Sequence, residues 1–184
     1  KCVMNLLPIH PTALQLEQAT LFAAIYAEKG YGKNVLQVSH EQYLHFIRIG
    51  KLYEIVLVDY LRAYGIAISA PDLLRPHKGN HKIGADFVIE KSNQAVDVKA
   101  ANKPFHKRIL IREDQVQAKV HDLYIGAKYS CDSEIEFLGY LTGAQLLKQV
   151  PNDFGHGLCR SMILSELKPM EDFIEKCLLG VTII

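Results

Sequence analysis

Gly84-Ala85-Asp86-Phe87-Val88-Ile89 and, across the polar stretch Glu90-Lys91-Ser92-Asn93-Gln94, Ala95-Val96-Asp97-Val98-Lys99-Ala100-Ala101 are two apolar, strand-like segments that each carry an acid. Side chains alternate across a strand, so Asp97 and Lys99 share one face and Val96, Val98 and Ala100 share the other. The intervening stretch is rich in turn-forming residues. With the turn centred between Lys91 and Ser92, the segments form an antiparallel hairpin in which Asp86 falls opposite Asp97. Two carboxylates in direct cross-strand register destabilise a sheet unless positive charge sits between them. A divalent cation, with Lys99 beside it, resolves that conflict.

Outward from the hairpin, the N-terminal side reads as helical. Thr12-Ala-Leu-Gln15 is a capping-box pattern, followed by Leu16, Ala19, Phe22, Ala23 and Tyr26 at helical spacing and Gly30 as a stop. Ser39-His-Glu-Gln42 opens a second helix reaching Tyr64-Gly65, with Tyr31-Gly-Lys-Asn34 as the turn between. Glu54 sits in this helix on a stripe with Ile47, Leu57, Val58 and Leu61, and a carboxylate on an apolar stripe needs a partner or a metal. Asp59 is the weaker candidate, because Arg62 is placed to pair with it locally.

Beyond Gly65, Ile66 to Ser69 reads as a short strand and Pro71 and Pro76 bracket a loop. After the hairpin come a short strand at Ile109-Leu-Ile111, a helix from Arg112 to Val120, and strands at Leu123 to Ala127 and Ile135 to Leu141. Thr142 caps a helix over 144–150. Met162-Ile-Leu164 and a helix from Glu171 to Leu178 complete the chain. The order predicts an α/β fold, a mixed central β-sheet flanked by helices. The organisation expected is a single domain over 1–184: a helical N-terminal part (1–65), a core bearing the chemistry (66–150) and a peripheral C-terminal addition (151–184).

At 184 residues, 49% hydrophobic and 22% charged, the chain has the composition of a folded domain with a sizeable core. No apolar run approaches a bilayer span, so no membrane partner is expected. Asn5-Leu-Leu-Pro-Ile9 is too short for the apolar region of a secretory signal, which makes an intracellular, cytoplasmic location the expectation; the start at Lys1 leaves a preceding segment open. A net charge of +1 argues against a protein that simply coats polyanions. Bases nevertheless cluster on both sides of the hairpin, as His77-Lys78-Gly-Asn-His81-Lys82 and Lys103-Pro-Phe105-His106-Lys107-Arg108. Lys78, Lys82, Lys103, Lys107 and Arg108 are candidates for phosphate contact, against the alternative of solvated loops. Cys2, Cys131, Cys159 and Cys177 include no C-x-x-C pair and read as free, mostly buried thiols; the eight histidines make no zinc pattern.

An acid, ten intervening residues and then Asp-Val-Lys resembles the signature of the PD-(D/E)xK nuclease superfamily, which includes restriction endonucleases, junction resolvases and phage exonucleases. The matching residues are Asp86, Asp97 and Lys99, with Ala85 where the family has proline. The resemblance implies a restriction-endonuclease-like core and a Mg²⁺-dependent DNA endonuclease of restriction or phage and mobile-element type, with Mn²⁺ as a substitute. It implies metal ligands at Asp86, Asp97 and the main-chain carbonyl of Val98, with Glu54 as the helix-borne acid that helps hold a second ion. Lys99 would stabilise charge at the scissile phosphate or, with a depressed pKa, act as a base. DNA is the implied partner, and cutting two strands makes a homodimer plausible. The exonuclease branch carries a glutamine with a tyrosine four residues later; here Lys119 follows Gln115 and His121 follows Gln117. The iron–sulfur branch clusters its last three cysteines, which are far apart here. The alternatives are a non-catalytic DNA-binding or structural protein retaining the nuclease fold, and a junction resolvase or exonuclease of the same superfamily.

Overall fold

The computed structural model describes residues 8–28, 39–70, 84–101, 103, 105–131, 133–155 and 157–184. Gly30, the Tyr31–Asn34 turn, Pro71, Pro76, Cys2, Lys78 and Lys82 lie outside them. Both N-terminal helices begin as their capping residues dictate. Ahead of α1 (Ala13–Glu28), the Thr12 N–H donates to Gln15 Oε1 at 2.9 Å and the Gln15 N–H donates to Thr12 Oγ1 at 3.2 Å. Ser39 and Gln42 make the same reciprocal pair at the start of α2 (His40–Ala63). Each box satisfies two N–H groups that a helix start otherwise leaves open.

The two helices run antiparallel. Gln15 Nε2 donates to Asp59 Oδ2 at 2.8 Å, and the Lys51 ammonium stands 4.4 Å from the Phe22 ring centroid. Asp59 is therefore engaged by α1 rather than by Arg62, whose guanidinium reaches the Ile68 carbonyl at 3.4 Å. Helical spacing offered Asp59 a local cation, but packing of the helix pair gave it a nearer donor.

A five-stranded sheet follows, in the order β1 (Ile68–Ser69), β2 (Phe87–Ile89), β3 (Gln94–Ala101), β5 (Leu123–Cys131), β6 (Glu134–Thr142). Neighbours are antiparallel except β3 and β5, which are parallel. A parallel pair needs a crossover. Here β4 (Arg108–Arg112) and α3 (Glu113–Ala118) supply it. The α3 helix is shorter than the 112–120 expected: it ends at Ala118, and Lys119 is already extended. The hairpin loop carries Asn93 at φ 53°, a conformation asparagine tolerates in tight turns.

The faces of β3 separate as alternation requires. Val96, Val98 and Ala100 pack into the main core with α2, whereas Ala101, Tyr124 and Ile111 belong to a second cluster on the other side of the sheet. The second cluster is covered by a three-stranded sheet, β4-β8-β7, made with β7 (Asn152–Asp153) and β8 (Leu158–Ile163). Thr142 caps α4 (Gly143–Lys148) through a box with Gln145. A Cβ on Gly143 would stand 2.2 Å from the His121 carbonyl, so only glycine admits the α4 start against the 119–122 connection.

Residues 151–184 are not a peripheral addition. Strand β8 pairs along all of β4, and α5 (Met170–Leu179) places Met170, Phe173, Ile174 and Cys177 in the main core, where Ile183 joins them. Burying side chains of this size is worth about 1.5–3 kcal/mol each. Cys159 and Cys177 are buried and Cys131 is exposed; burial pushes the Cys177 thiol up to about 12, so it stays protonated and inert. Among the described residues no helix is long and apolar enough to cross a membrane.

Candidate active site

The register of the hairpin is Phe87↔Val96, Val88↔Ala95 and Ile89↔Gln94, the alignment that the turn residues imply. Asp86 lies one residue past the last pair and does not complete a rung opposite Asp97. Its N–H donates to the Val96 carbonyl at 2.9 Å, and its carboxylate Oδ2 accepts the Val98 N–H at 2.7 Å. Asp86 therefore brackets Asp97, holding the peptide groups on either side of it. The backbone hydrogen bonds fix this placement, so the acid is positioned before any ligand arrives.

On β3, Asp97 is 7% exposed and its Oδ2 lies 2.8 Å from the Lys99 ammonium on the same strand face. Both line a small cleft with Gln115, Lys119, His121 and Tyr124. Its volume of 40 Å³ suits a few waters or one small anionic group and is far below a pocket for a whole nucleotide. Parallel pairing sets Tyr124 of β5 directly beside Asp97. The Tyr124 hydroxyl accepts the His121 N–H at 3.2 Å. His121 is 5% exposed, and its Nδ1 has no hydrogen-bond partner among the described residues. Burial holds the His121 pKa below its ordinary value, so the ring is neutral at physiological pH.

Glu54 enters from α2 and pairs with Lys51, one helical turn away. It does not line the cleft, but its charge is felt there. Burial raises the Glu54 pKa, with Asp97 adding to the rise, and Lys51 and Lys99 acting against it. Burial likewise lifts Asp86 well above the ordinary carboxylate range, and the negative charges of Glu54 and Asp97 lift it further. Burial alone would favour the neutral amine of Lys99, but Asp97, Asp86 and Glu54 together raise its pKa instead. Lys99 is therefore an ammonium here. That disfavours the role of general base and leaves charge stabilisation.

The structure thus brings Glu54, Asp86, Asp97 and Lys99 from one helix and one hairpin into a single electrostatic cluster. Three carboxylates face two ammoniums, Lys51 and Lys99. Among the described residues no group of three or more His, Cys, Asp or Glu side chains is arranged to hold a metal ion. Mg²⁺, however, needs only one or two carboxylates, completing its octahedron with water and substrate oxygens. Asp86 and Asp97 are such a hard-oxygen pair, repelled by each other and by Glu54, and on that chemistry the residues present fit the ion. Lys103, Lys107 and Arg108 are exposed near the end of β3. Gln115, Lys119, His121 and Tyr124 enter the site only through the β3–β5 pairing, which no local pattern announces. Lys51 was open to recognition from its spacing to Glu54. No protein-family model matches this sequence, and no match is found among curated proteins.

The strain in this cluster yields a stability prediction. Asp86 titrates higher in the folded chain than its ordinary 3.8, so the folded state binds more protons than the unfolded one. Stability contributed at this residue then falls as pH rises through that interval, and at neutral pH its charge destabilises the metal-free protein. Asp86→Asn keeps an oxygen to accept the Val98 N–H and removes the charge. In EDTA at pH 7.5 this variant is expected to melt roughly 2–4 °C higher than wild type, the equivalent of about 1 kcal/mol in a chain of this size. An unchanged or lower Tm by calorimetry would contradict the unfavourable charge assigned to Asp86.

Proposed function

We propose that this chain is a Mg²⁺-dependent DNA endonuclease, of restriction or phage and mobile-element type, with a PD-(D/E)xK nuclease core. The observation that carries the reading is the placement of Asp97 and Lys99 on one strand face, bracketed by Asp86 from the preceding hairpin arm. The surroundings suit it: an antiparallel hairpin, a crossover, a parallel strand and an antiparallel strand follow in the superfamily's order, and the helix that carries Glu54 packs behind. Asp86, Asp97 and the Val98 carbonyl would hold Mg²⁺, or Mn²⁺ in its place, with Glu54 available to a second ion. When bound, the metal supplies Lewis-acid stabilisation of the phosphoryl oxygens and a more acidic water.

The chain's own groups do the rest. Lys99 places a permanent positive charge where negative charge develops on the phosphate, a contribution that is large in a partly buried site. Lys119, which also lines the cleft, adds a second cation there. The Val98 N–H keeps the Asp86 carboxylate oriented. Lys103, Lys107 and Arg108 would steer the DNA backbone toward the end of β3, and Lys78 and Lys82, which precede the hairpin in sequence, are further candidates for phosphate contact. Cutting both strands would take two such sites, hence a homodimer on DNA, acting within the cell.

A second reading is a non-catalytic DNA-binding protein that retains the nuclease fold. The ion pairs Lys51–Glu54 and Lys99–Asp97 favour it, because they occupy the acids that a metal would need. Supercoiled plasmid incubated with Mg²⁺ or Mn²⁺ separates the two. The nuclease reading expects nicked and linear product with either metal and none in EDTA. Intact plasmid and intact linear, branched and single-stranded substrates with both metals would leave the binding reading instead.

A further inference from the structure

The connection from β3 to β4 leaves an aromatic ring in solvent. Phe105 is 71% exposed, although burying such a ring is ordinarily worth about 2 kcal/mol or more. Its neighbours are basic residues. The Lys103 ammonium lies 5.6 Å from the ring centroid, and the His106 ring meets it edge-on at 5.1 Å. Lys103, Lys107 and Arg108 are all exposed, and among the described residues none of them has a carboxylate partner. Arg108 in turn stands 5.5 Å from the ring centroid of Phe154, between β7 and β8. The exposed Phe105 ring thus stands beside Lys103, and Arg108 beside a second ring, Phe154.

An exposed ring set among cations is poorly matched to an apolar protein face, whose core is depleted of charge. It matches a nucleic acid strand, where a flat base is followed by a phosphate at each step. Base–aromatic stacking needs an unstacked base with a free π-face, which a closed duplex does not offer. Phe105 is the sixth residue after Lys99, so their Cα atoms are at most about 22 Å apart. That lies within one turn of duplex DNA, about 34 Å.

We propose that Phe105 is a stacking platform for an unpaired DNA base, with Lys103, Lys107 and Arg108 on the flanking phosphates. The substrate class is then DNA in which single-stranded or unpaired nucleotides adjoin a duplex. This inference rests on the reading of the hairpin face as DNA-facing.

The test measures binding in EDTA, where no cleavage occurs. Two probes are used, a 20-base-pair duplex and the same duplex with a three-nucleotide single-stranded gap containing 2-aminopurine. Wild type is expected to bind the gapped probe about tenfold tighter and to quench 2-aminopurine fluorescence, in line with the energy of one stacked base. Phe105→Ala is expected to lose both the preference and the quenching while binding the paired duplex as wild type does. Phe105→Trp is expected to retain them. Equal affinity of wild type for the two probes, a preference that survives Phe105→Ala, or an equal loss on both probes would each overturn the proposal, as would tighter binding of a single-stranded RNA of the gap sequence. Plasmid nicking by the same preparations keeps the two readings apart. Nicking with no role for Phe105 defeats this inference alone, whereas a Phe105-dependent preference without nicking defeats the nuclease reading alone.

Discussion

On the nuclease reading, Asp97→Ala and Lys99→Ala are each expected to lower Mg²⁺-dependent plasmid nicking by about a thousandfold, the upper end of what losing one charge-stabilising group costs. The two residues do different things. Asp97 is the nearly buried carboxylate at the centre of the cleft, and Lys99 carries the cation facing it at 2.8 Å. If both act on one phosphate, as the nuclease reading has it, the double variant is expected to lose little beyond either single variant. Lys99→Arg keeps the charge but replaces a compact ammonium with a broad planar group, and is expected to recover only part of the rate. Initial rates from gel-resolved product, with circular dichroism to show that each variant is folded, decide the matter. Wild-type rates in a folded Asp97→Ala variant would remove Asp97 from the site.

The second large effect is on stability. One guanidinium ties the second sheet to two helices. Arg160 of β8 donates from Nε and Nη2 to the Glu113 carboxylate at 2.7 and 2.9 Å, and from Nη1 to the Leu147 and Gln149 carbonyls, both at 2.7 Å. The bidentate bridge begins α3, and the two carbonyls end α4. Both side chains are mostly buried, at 13% and 12% exposure, so removing one partner strands a desolvated charge and open carbonyls. Arg160→Ala is expected to cost about 3 kcal/mol, near the low end for breaking a buried pair, and to lower Tm by roughly 6–12 °C. Arg160→Lys recovers little, because an ammonium cannot reproduce the fork. Hydrogen bonding to Arg160 holds the Glu113 pKa below its ordinary 4.5. The stability gained from that shift is present above 4.5 and is lost as pH falls through the lower folded value, so the gap between wild type and variant narrows in acid. Urea melts at pH 7 and pH 3.5 check both statements, and a loss under 1 kcal/mol at pH 7 would show the bridge behaving as a surface pair.

Much of the local structure was legible because its causes are local. Two capping boxes, at Thr12 and Ser39, start helices where their side chains can reach the open N–H groups. The polar Glu90–Gln94 turn sets the hairpin register, and with it the proximity of Asp86 to Asp97. Where local patterns misled, a long-range partner was responsible. Asp59 took Gln15 from α1 instead of Arg62, and the tail, which reads as a short strand and an amphipathic helix, supplied Phe173 and Ile174 to the main core.

The sequence by itself determined the strands of the five-stranded sheet, the shared face of Asp97 and Lys99 and the helix that carries Glu54, because alternation, turn chemistry and capping act over a few residues. The tertiary structure alone decided what those residues meet. Pairing β3 with β5 in parallel brought Tyr124, His121 and Lys119 to the cleft, and packing α2 behind the hairpin set a third carboxylate against two others. Burial there raised the pKa values of Glu54 and Asp86, and the surrounding carboxylates kept Lys99 charged. Those effects depend on which distant segments exclude water from a side chain, and a linear pattern does not record that.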